Sequence, residues 1–358
     1  MSAFLVHIGC PYFPYNGGSS VRLSKLLGQC KVDGLQLIVV TPTEGEFDEK
    51  DSVQIWRGNP YSREMIRRVW RHVRGGGKVT VVLHNVRALI AWRIFGKRWS
   101  NLNVVTEIHN FLDYSWWKLL LVKRLYRQTD QVLALGESAA EMATSRYGVD
   151  RKKVTTIRNG VTAGSPRPSF DVNDSGRIRY AYVGTFHDWQ GVLVIAQALA
   201  RLSEPVFNRC TFDFVGGGPM FSDFERIVVG NIPSEFINIH GWVEKTVADA
   251  VVSKADVMLM PRLSTIGTET IIPLKAVEAL EMGKAVIAAD VGGMKDVLEC
   301  CNTRFVRPGD VDDLILAIAE LANDPARVVE MKKQAFSAYQ KQPTWDVIGQ
   351  MYRSALEL

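Results

Sequence analysis

Apolar runs of strand length recur along the chain, and most lead through a polar loop into a stretch with helical spacing. FLVHIGC leads through the turn-rich PYFPYNGGSS into SVRLSKLLGQC, and LQLIVVTP follows. KVTVVLHN precedes a helical stretch through ALIAWRIFGKRW, and NVVTEIHN precedes SWWKLLLVKRLYRQ. QVLALGES precedes a helix through MATSRYG, whose Ser138 and Glu141 have capping-box spacing. KVTTIRNGV closes the set. Strands alternating with helices predict a parallel sheet covered on both faces.

Residues 163–176, AGSPRPSFDVNDSG, have the composition of a linker. Alternation then restarts with RIRYAYVG, a helix through VLVIAQALARL, CTFDFVGGG, FINIHGWV, ADVMLMP and AVIAADVGG. The tail, PARVVEMKKQAFSAYQ and TWDVIGQMYRSALEL, is helical. The chain is therefore expected to be α/β, with two Rossmann-like parallel-sheet domains at residues 1–162 and 177–340. Open parallel sheets bind ligands beyond the carboxyl ends of their strands. The loops PYNGGSS, HNFLDY, GTFHDWQG, GGGPM and PRLSTIGTE follow strand runs, so they are expected to line an interdomain cleft.

Composition narrows the class. With 47% hydrophobic and 23% charged residues, this is an ordinary globular chain. Its five cysteines are odd in number and show no CxxC spacing, which suits a reducing compartment and argues against structural zinc. The start, MSAFLVHIGCPYF, lacks a basic leader and reads as a first strand. No apolar run approaches the ~18 residues that span a bilayer.

The densest candidate chemistry lies in residues 261–293. Arg262, Glu269, Lys275 and Glu278 precede the buried-strand pattern AVIAADV. Charges so close to a buried strand are costly unless a ligand uses them. A nucleoside diphosphate sugar would: its diphosphate takes Arg and Lys, and its hydroxyls take carboxylates. A salt bridge of Lys275 or Arg262 with Glu269 or Glu278 is the simpler alternative. Gly17 and Gly18 sit between the first strand and its helix, where a phosphate can meet free N–H groups, although an ordinary flexible turn is the better account of a GG standing alone. His109, His84 and His187 each end or follow a strand run. No GxGxxG follows the first strand, and no GxxxxGK[ST] or GxSxG occurs. These absences count against a nicotinamide dehydrogenase, a P-loop kinase and an α/β-hydrolase.

In combination these pieces resemble the family-4 retaining glycosyltransferases of GT-B architecture. The resemblance rests on the GG loop, His109, VTTIRNGV, YVGTFHDWQGV, FVGGGP, HGWV, ADVMLMPR, PLKAVEALEMGKAVIA and DVGGMKDVL. It implies an acceptor-binding first domain, a nucleotide-sugar-binding second domain, and a final helix, residues 341–358, that crosses back to the first. It further implies that His109, Arg262, Lys275 and Glu269 carry the chemistry. Gly17, Gly18, Thr185, His187, Gln190, Gly216, Gly217, Val243, Thr270 and Glu278 would then line the donor, with Glu278 on the ribose.

The chain departs from the family where a basic residue and a lysine are usual, for it has Thr185 and Gln190. The first glutamate of the family's Glu-x7-Glu pattern would fall at Thr270, and Glu269 stands one position away. Arg262 and Lys275 are therefore expected to hold the diphosphate. Preorganised positive charge at the leaving group typically supplies a few kcal/mol. Retention of anomeric configuration, with the departing phosphate taking the acceptor's proton, follows from the resemblance. No metal ligand is singled out, no DxD of a metal site is identified and no cofactor is expected beyond a UDP-, GDP- or dTDP-sugar as co-substrate.

Charge is distributed unevenly. Residues 56–127 hold fifteen Lys or Arg against three acids, 15 − 3 = +12, which leaves 5 − 12 = −7 for the rest of a chain of net charge +5. Six of the nine tryptophans fall there: Trp56, Trp70, Trp92, Trp99, Trp116 and Trp117. Basic residues interleaved with Trp and Leu suit an anionic membrane surface, whereas amphipathic helices packing their aromatics inward are the plainer alternative. A glycan or lipid-linked acceptor, no nucleic acid, and a cytoplasmic location on the inner face of the membrane are expected. A nucleotide-sugar 2-epimerase and a non-catalytic partner subunit of the same fold remain as alternatives.

Overall fold

The computed structural model describes residues 2–12, 18–44, 48–109, 111–172 and 176–358. The chain divides into two units, Met1–Thr162 with Pro343–Leu358, and Ala163–Gln342. In the first, β1 (Ala3–Ile8), α1 (Gly18–Gln29), β2 (Leu35–Thr41), β3 (Asp48–Lys50), β4 (Val53–Arg57) and α2 (Arg63–Val73) lead to β5 (Val79–Leu83). Then come α3 (Val86–Phe95), β6 (Leu102–Ile108), α4 (Trp116–Tyr126), β7 (Gln131–Ala134), α5 (Glu137–Ser145) and β8 (Val154–Thr156). The second contains β9 (Ile178–Val183), α6 (Val192–Ala200), α7 (Glu204–Phe207), β10 (Cys210–Val215), α8 (Phe221–Asn231), β11 (Ile237–Gly241), α9 (Lys245–Lys254) and β12 (Val257–Met260). It continues with α10 (Ile266–Thr270), α11 (Leu274–Glu281), β13 (Ala285–Ala289), α12 (Gly292–Leu298), β14 (Arg304–Val306), α13 (Val311–Asn323) and α14 (Pro325–Gln340). The last helix, α15 (Trp345–Ala355), returns to the first unit.

The first sheet has eight strands in the order β3-β4-β2-β1-β5-β6-β7-β8. All pairs are parallel except β3 with β4. The second has six parallel strands in the order β11-β10-β9-β12-β13-β14. Central strands are buried because helices cover both faces: all five residues of β5 and of β13 are buried. Both sheets reverse their order once, at β1/β5 and at β9/β12. At such a reversal the connections leave in opposite directions, and the carboxyl edge opens a crevice between the two loops.

Local chemistry sets the helix ends. Ser62 accepts from the Met65 amide at 3.1 Å to open α2, and Asn85 accepts from the Ala88 amide at 2.9 Å to open α3. The capping-box spacing at Ser138 is not used that way: α5 starts one residue earlier, after Gly136. Residues 163–172, expected as linker, belong to the second unit. Pro168 and Phe170 press so closely on Gly283 that a Cβ there would meet Pro168 Cγ at 2.7 Å.

Helix α15 completes the first core. Its Ile348, Tyr352 and Leu356 are buried with Leu23, Leu26 and Leu27 of α1. The two helices approach closely at Gly349, where a Cβ would meet Gln29 Cβ at 2.4 Å. Ile348→Ala or Leu356→Ala should therefore each cost the first unit about 2–5 kcal/mol. Urea unfolding checks this; unchanged midpoints would mean that α15 is not part of that core.

Candidate functional site

The loops after β9 and β12 meet at the reversal of the second sheet. Phe186 is buried and anchors the first loop, its amide donating to the Gly217 carbonyl at 2.8 Å. Backbones then come too close for side chains. At Gly216, with φ +120°, a Cβ would lie 1.9 Å from the Gly184 carbonyl oxygen, and at Gly217 one would lie 2.7 Å from Trp242 Nε1. Gly191, with φ +74°, would drive a Cβ to 1.8 Å from the Pro261 carbonyl oxygen. Thr185 turns its carbonyl to the Tyr182 hydroxyl at 2.7 Å, and Val243 is half-buried after the exposed Trp242.

Arg262 stands at the end of β12, only 8% exposed. Its Nε donates to Gln190 Oε1 at 3.2 Å, and its guanidinium lies 5.3 Å over the Trp189 ring. His187 stacks on the other ring of that loop, 6.0 Å from Trp189. Burial pulls the Arg262 guanidinium down to about 10. Among the described residues no carboxylate lies within ion-pair distance of it. Arg262 thus meets Gln190 directly, and the Trp189 ring lies between it and His187.

The other charged residues of this segment are already engaged. Glu269 accepts from Ser264 Oγ at 2.6 Å and from the Gly292 amide at 2.8 Å, and so ties α10 to the start of α12. Thr270 is buried and donates back to the Ile266 carbonyl at 2.8 Å. Lys275 and Glu278 form a half-exposed ion pair of 2.7 Å on α11. Lys284, which reads in the sequence as a solvated helix-end charge, is instead buried. It donates to the Ser253 and Ala255 carbonyls at 2.6 and 2.8 Å, and burial lowers it to about 8.

In the first unit, Gly17 lies outside the described residues and Gly18 opens α1. One turn into that helix, Arg22 is fully buried and its Nε donates to Glu107 Oε1 at 2.7 Å. Its remaining nitrogens reach the Ile157 carbonyl at 2.8 Å, the Arg158 carbonyl at 2.9 Å and Asn159 Oδ1 at 3.0 Å. Burial pushes the Glu107 carboxyl up, but Arg22 and the neighbouring histidines outweigh it and hold the group below the ordinary carboxylate range. Beside this pair run His7, His84 and His109, joined His7 Nδ1 to His84 Nε2 at 2.7 Å and His84 Nδ1 to His109 Nε2 at 2.7 Å. Burial lowers all three, so they are neutral near pH 7.

Cys10, His84 and His109 each offer one ligand atom, and these atoms lie within 4.8 Å of one another. Their spacing suits hydrogen bonding better than a metal. Two nitrogens each about 2.0–2.1 Å from a tetrahedral ion stand roughly 3.3 Å apart, whereas His84 Nδ1 and His109 Nε2 are separated by 2.7 Å. Burial also raises the Cys10 thiol to about 12. An Asp-x-Asp run does occur in the chain, at Asp310–Asp312. Asp310 caps α13 by accepting from the Asp313 amide at 2.9 Å, and Asp312 pairs with Arg201.

Arg22, Glu107 and His7 were not singled out from sequence. The signals were a carboxylate inside the strand run NVVTEIHN and an arginine on the apolar face of SVRLSKLL. Glu107→Gln should leave the Arg22 charge unanswered and cost about 3–5 kcal/mol in a urea titration. Because the folded carboxyl is held low, this stabilisation is present above the ordinary carboxylate range and lost as pH falls through the lowered value. A variant as stable as the parent would contradict it.

Two family models match: Glycosyltransferase Family 4 over residues 16–164 and Glycosyl transferases group 1 over residues 177–324. Among curated proteins, the sulfoquinovosyl transferase SQD2 of Arabidopsis thaliana is 31% identical over 219 residues, 57% of this chain and 40% of that one. The phosphatidylinositol N-acetylglucosaminyltransferase gpi3 subunit of Schizosaccharomyces pombe is 23% identical over 205 residues, 57% of this chain and 43% of that one. The match thus spans less than half the length of either relative. Among solved structures, Anabaena HepE in complex with UDP superposes over 100% of both chains with a TM-score of 0.76 at 15% identity, which shows the shared fold. No helix of the described residues is long and apolar enough to cross a membrane. Residues 16–164 thus match a Glycosyltransferase Family 4 domain and residues 177–324 a Glycosyl transferases group 1 domain, and the two parallel-sheet units have the GT-B fold.

Proposed function

We propose that the protein transfers a sugar, with retention and without a metal ion, from a nucleoside diphosphate donor to an acceptor hydroxyl in cell-surface polysaccharide or glycoconjugate synthesis. The observation that carries this is Arg262. A guanidinium that is 8% exposed at the carboxyl edge of β12, with a glutamine oxygen and an indole face for company, suits a dianionic diphosphate. Loops that exclude any Cβ at Gly191 and Gly216 let backbone approach the nucleotide. Lys275 and Glu278 hold each other in a half-exposed pair worth about 0–1 kcal/mol, so exchanging it for phosphate and ribose costs little. HepE was solved with UDP and with UDP-glucose, which makes UDP the first donor base to test. With its carboxylate already bound to Ser264 and Gly292, Glu269 supports the loop rather than the sugar.

The acceptor is proposed to be lipid-linked. One curated relative is named for phosphatidylinositol. In this chain Trp56 and Trp92 are buried, but α4 presents Trp116 at 76% and Trp117 at 54% exposure. Leu120 and Leu121 lie on the same exposed face, with Lys118 and Arg124 beside them. An apolar stripe with cations at its border suits an anionic membrane surface.

A thermal-shift series with UDP-, GDP- and dTDP-sugars should raise the melting temperature for one base, and Glu278→Ala should abolish that rise while keeping the fold. A chain that binds none of them would favour a non-catalytic partner subunit. Trp116→Ser with Trp117→Ser should release the protein from phosphatidylserine vesicles in a flotation assay. Retention on the vesicles would remove α4 as the contact.

A further inference from the structure

Three histidines, two of them buried, form a chain with a direction. At its inner end the hydroxyl of Tyr352, on α15, lies 3.3 Å from His7 Nε2. His7 Nδ1 lies 2.7 Å from His84 Nε2, and His84 Nδ1 lies 2.7 Å from His109 Nε2. His7 lies in β1 one residue before its end, and His84 and His109 directly follow β5 and β6, the next two strands in the sheet. Tyr352, His7 and His84 are buried, whereas the His109 side chain is 18% exposed. Among the described residues its Nδ1 has no protein partner.

A neutral imidazole has one N–H donor and one acceptor nitrogen, so the proton on one ring dictates that on the next. Only two arrangements satisfy every link. In one, all three rings carry the proton on Nδ1; in the other, all three carry it on Nε2. The buried end decides between them. The Tyr352 hydroxyl has no acceptor other than His7 Nε2 among the described residues. If His7 donated to it, the O–H would be left without a partner in the core. Leaving a buried donor unmet costs about 1–3 kcal/mol. If Tyr352 donates, only a spare lone pair is unmet. Burial keeps Tyr352 protonated and the three rings neutral, so the donors this argument needs are in place. Of the charged groups alongside, Arg22 answers Glu107 Oε1, while Glu107 Oε2 has no hydrogen-bond partner among the described residues. Glu107 stands 3.8 Å from His84 Nδ1 and 3.7 Å from His109 Nε2, too far to accept either proton.

We propose that Tyr352, His7 and His84 are positioning residues that hold His109 with its proton on Nδ1, so that it meets its ligand as a hydrogen-bond donor and not as a base. The ligand atom it fits is an oxygen acceptor, such as a sugar hydroxyl. That a sugar substrate reaches His109 rests on the function proposed above; the direction of the chain does not.

The test is a long-range proton–nitrogen correlation spectrum of the full chain labelled at histidine, with assignments from single substitutions. The expected result is Nδ1 protonated and Nε2 unprotonated on His7, His84 and His109. An Nε2–H tautomer on His109 overturns the proposal, and needs no variant to be seen. His84→Phe keeps an aromatic ring but removes the enforced donor. His109 should then gain Nε2–H population, while an unchanged His109 would show that the chain does not set its tautomer. Both readouts are taken without nucleotide. A protein that binds no donor but shows the three Nδ1–H rings refutes the functional reading and leaves the relay standing, and the converse result does the opposite.

Discussion

A guanidinium withdrawn from water has to be answered, and the two buried arginines of this chain are answered differently. Arg22 meets a carboxylate, two backbone carbonyls and an asparagine oxygen. Its charge is fully used inside the first unit. Arg262 meets a glutamine oxygen and the face of a tryptophan. Neither carries a charge, so the cation remains available to an anion arriving from outside. The donor site proposed above depends on that difference.

The folding pattern explains why both arginines matter where they are. Each sheet reverses its strand order once, and each reversal brings two loops apart at the carboxyl edge. In the second unit the loops after β9 and β12 frame Arg262. In the first, the ends of β1, β5 and β6 carry the histidine chain, and Arg22 with Glu107 underlies it. The opposite edge of the first sheet also has a groove, of about 710 Å³, lined by Lys78, Asn101, Asp130 and Lys153 among others. It lies at the amino ends of the strands, where parallel sheets do not as a rule build their sites.

The strands, helices and two-unit plan were legible because buried parallel strands leave unbroken apolar runs and helices leave a 3.6-residue period. Strands β3, β4 and β14 were not: β4, VQIWR, interrupts its apolar residues with Gln54 and ends in Arg57, and the three residues of β3 and of β14 give no longer apolar run. Arg262 was legible from its place after a buried strand. Its partners on the loop after β9 were foreseen as site residues, but not the indole that carries the guanidinium. Glu107 and Arg22 were invisible as a pair because 85 positions separate them. Lys284 looked like an ordinary surface lysine, since nothing local reveals that two carbonyls of another segment wait for it. Glu269 looked like a ligand carboxylate, and only the tertiary structure reveals the amide of Gly292 that it caps.

The central claim is that Arg262 is the anchor for a diphosphate. Calorimetric titration of UDP into the parent protein and into Arg262→Met, with circular dichroism to confirm the fold, tests it most directly. The account predicts that the parent binds and that the folded variant loses at least tenfold in affinity, the equivalent of about 1.4 kcal/mol. Equal affinity in the two proteins, or a parent that binds no nucleoside diphosphate at all, would contradict it.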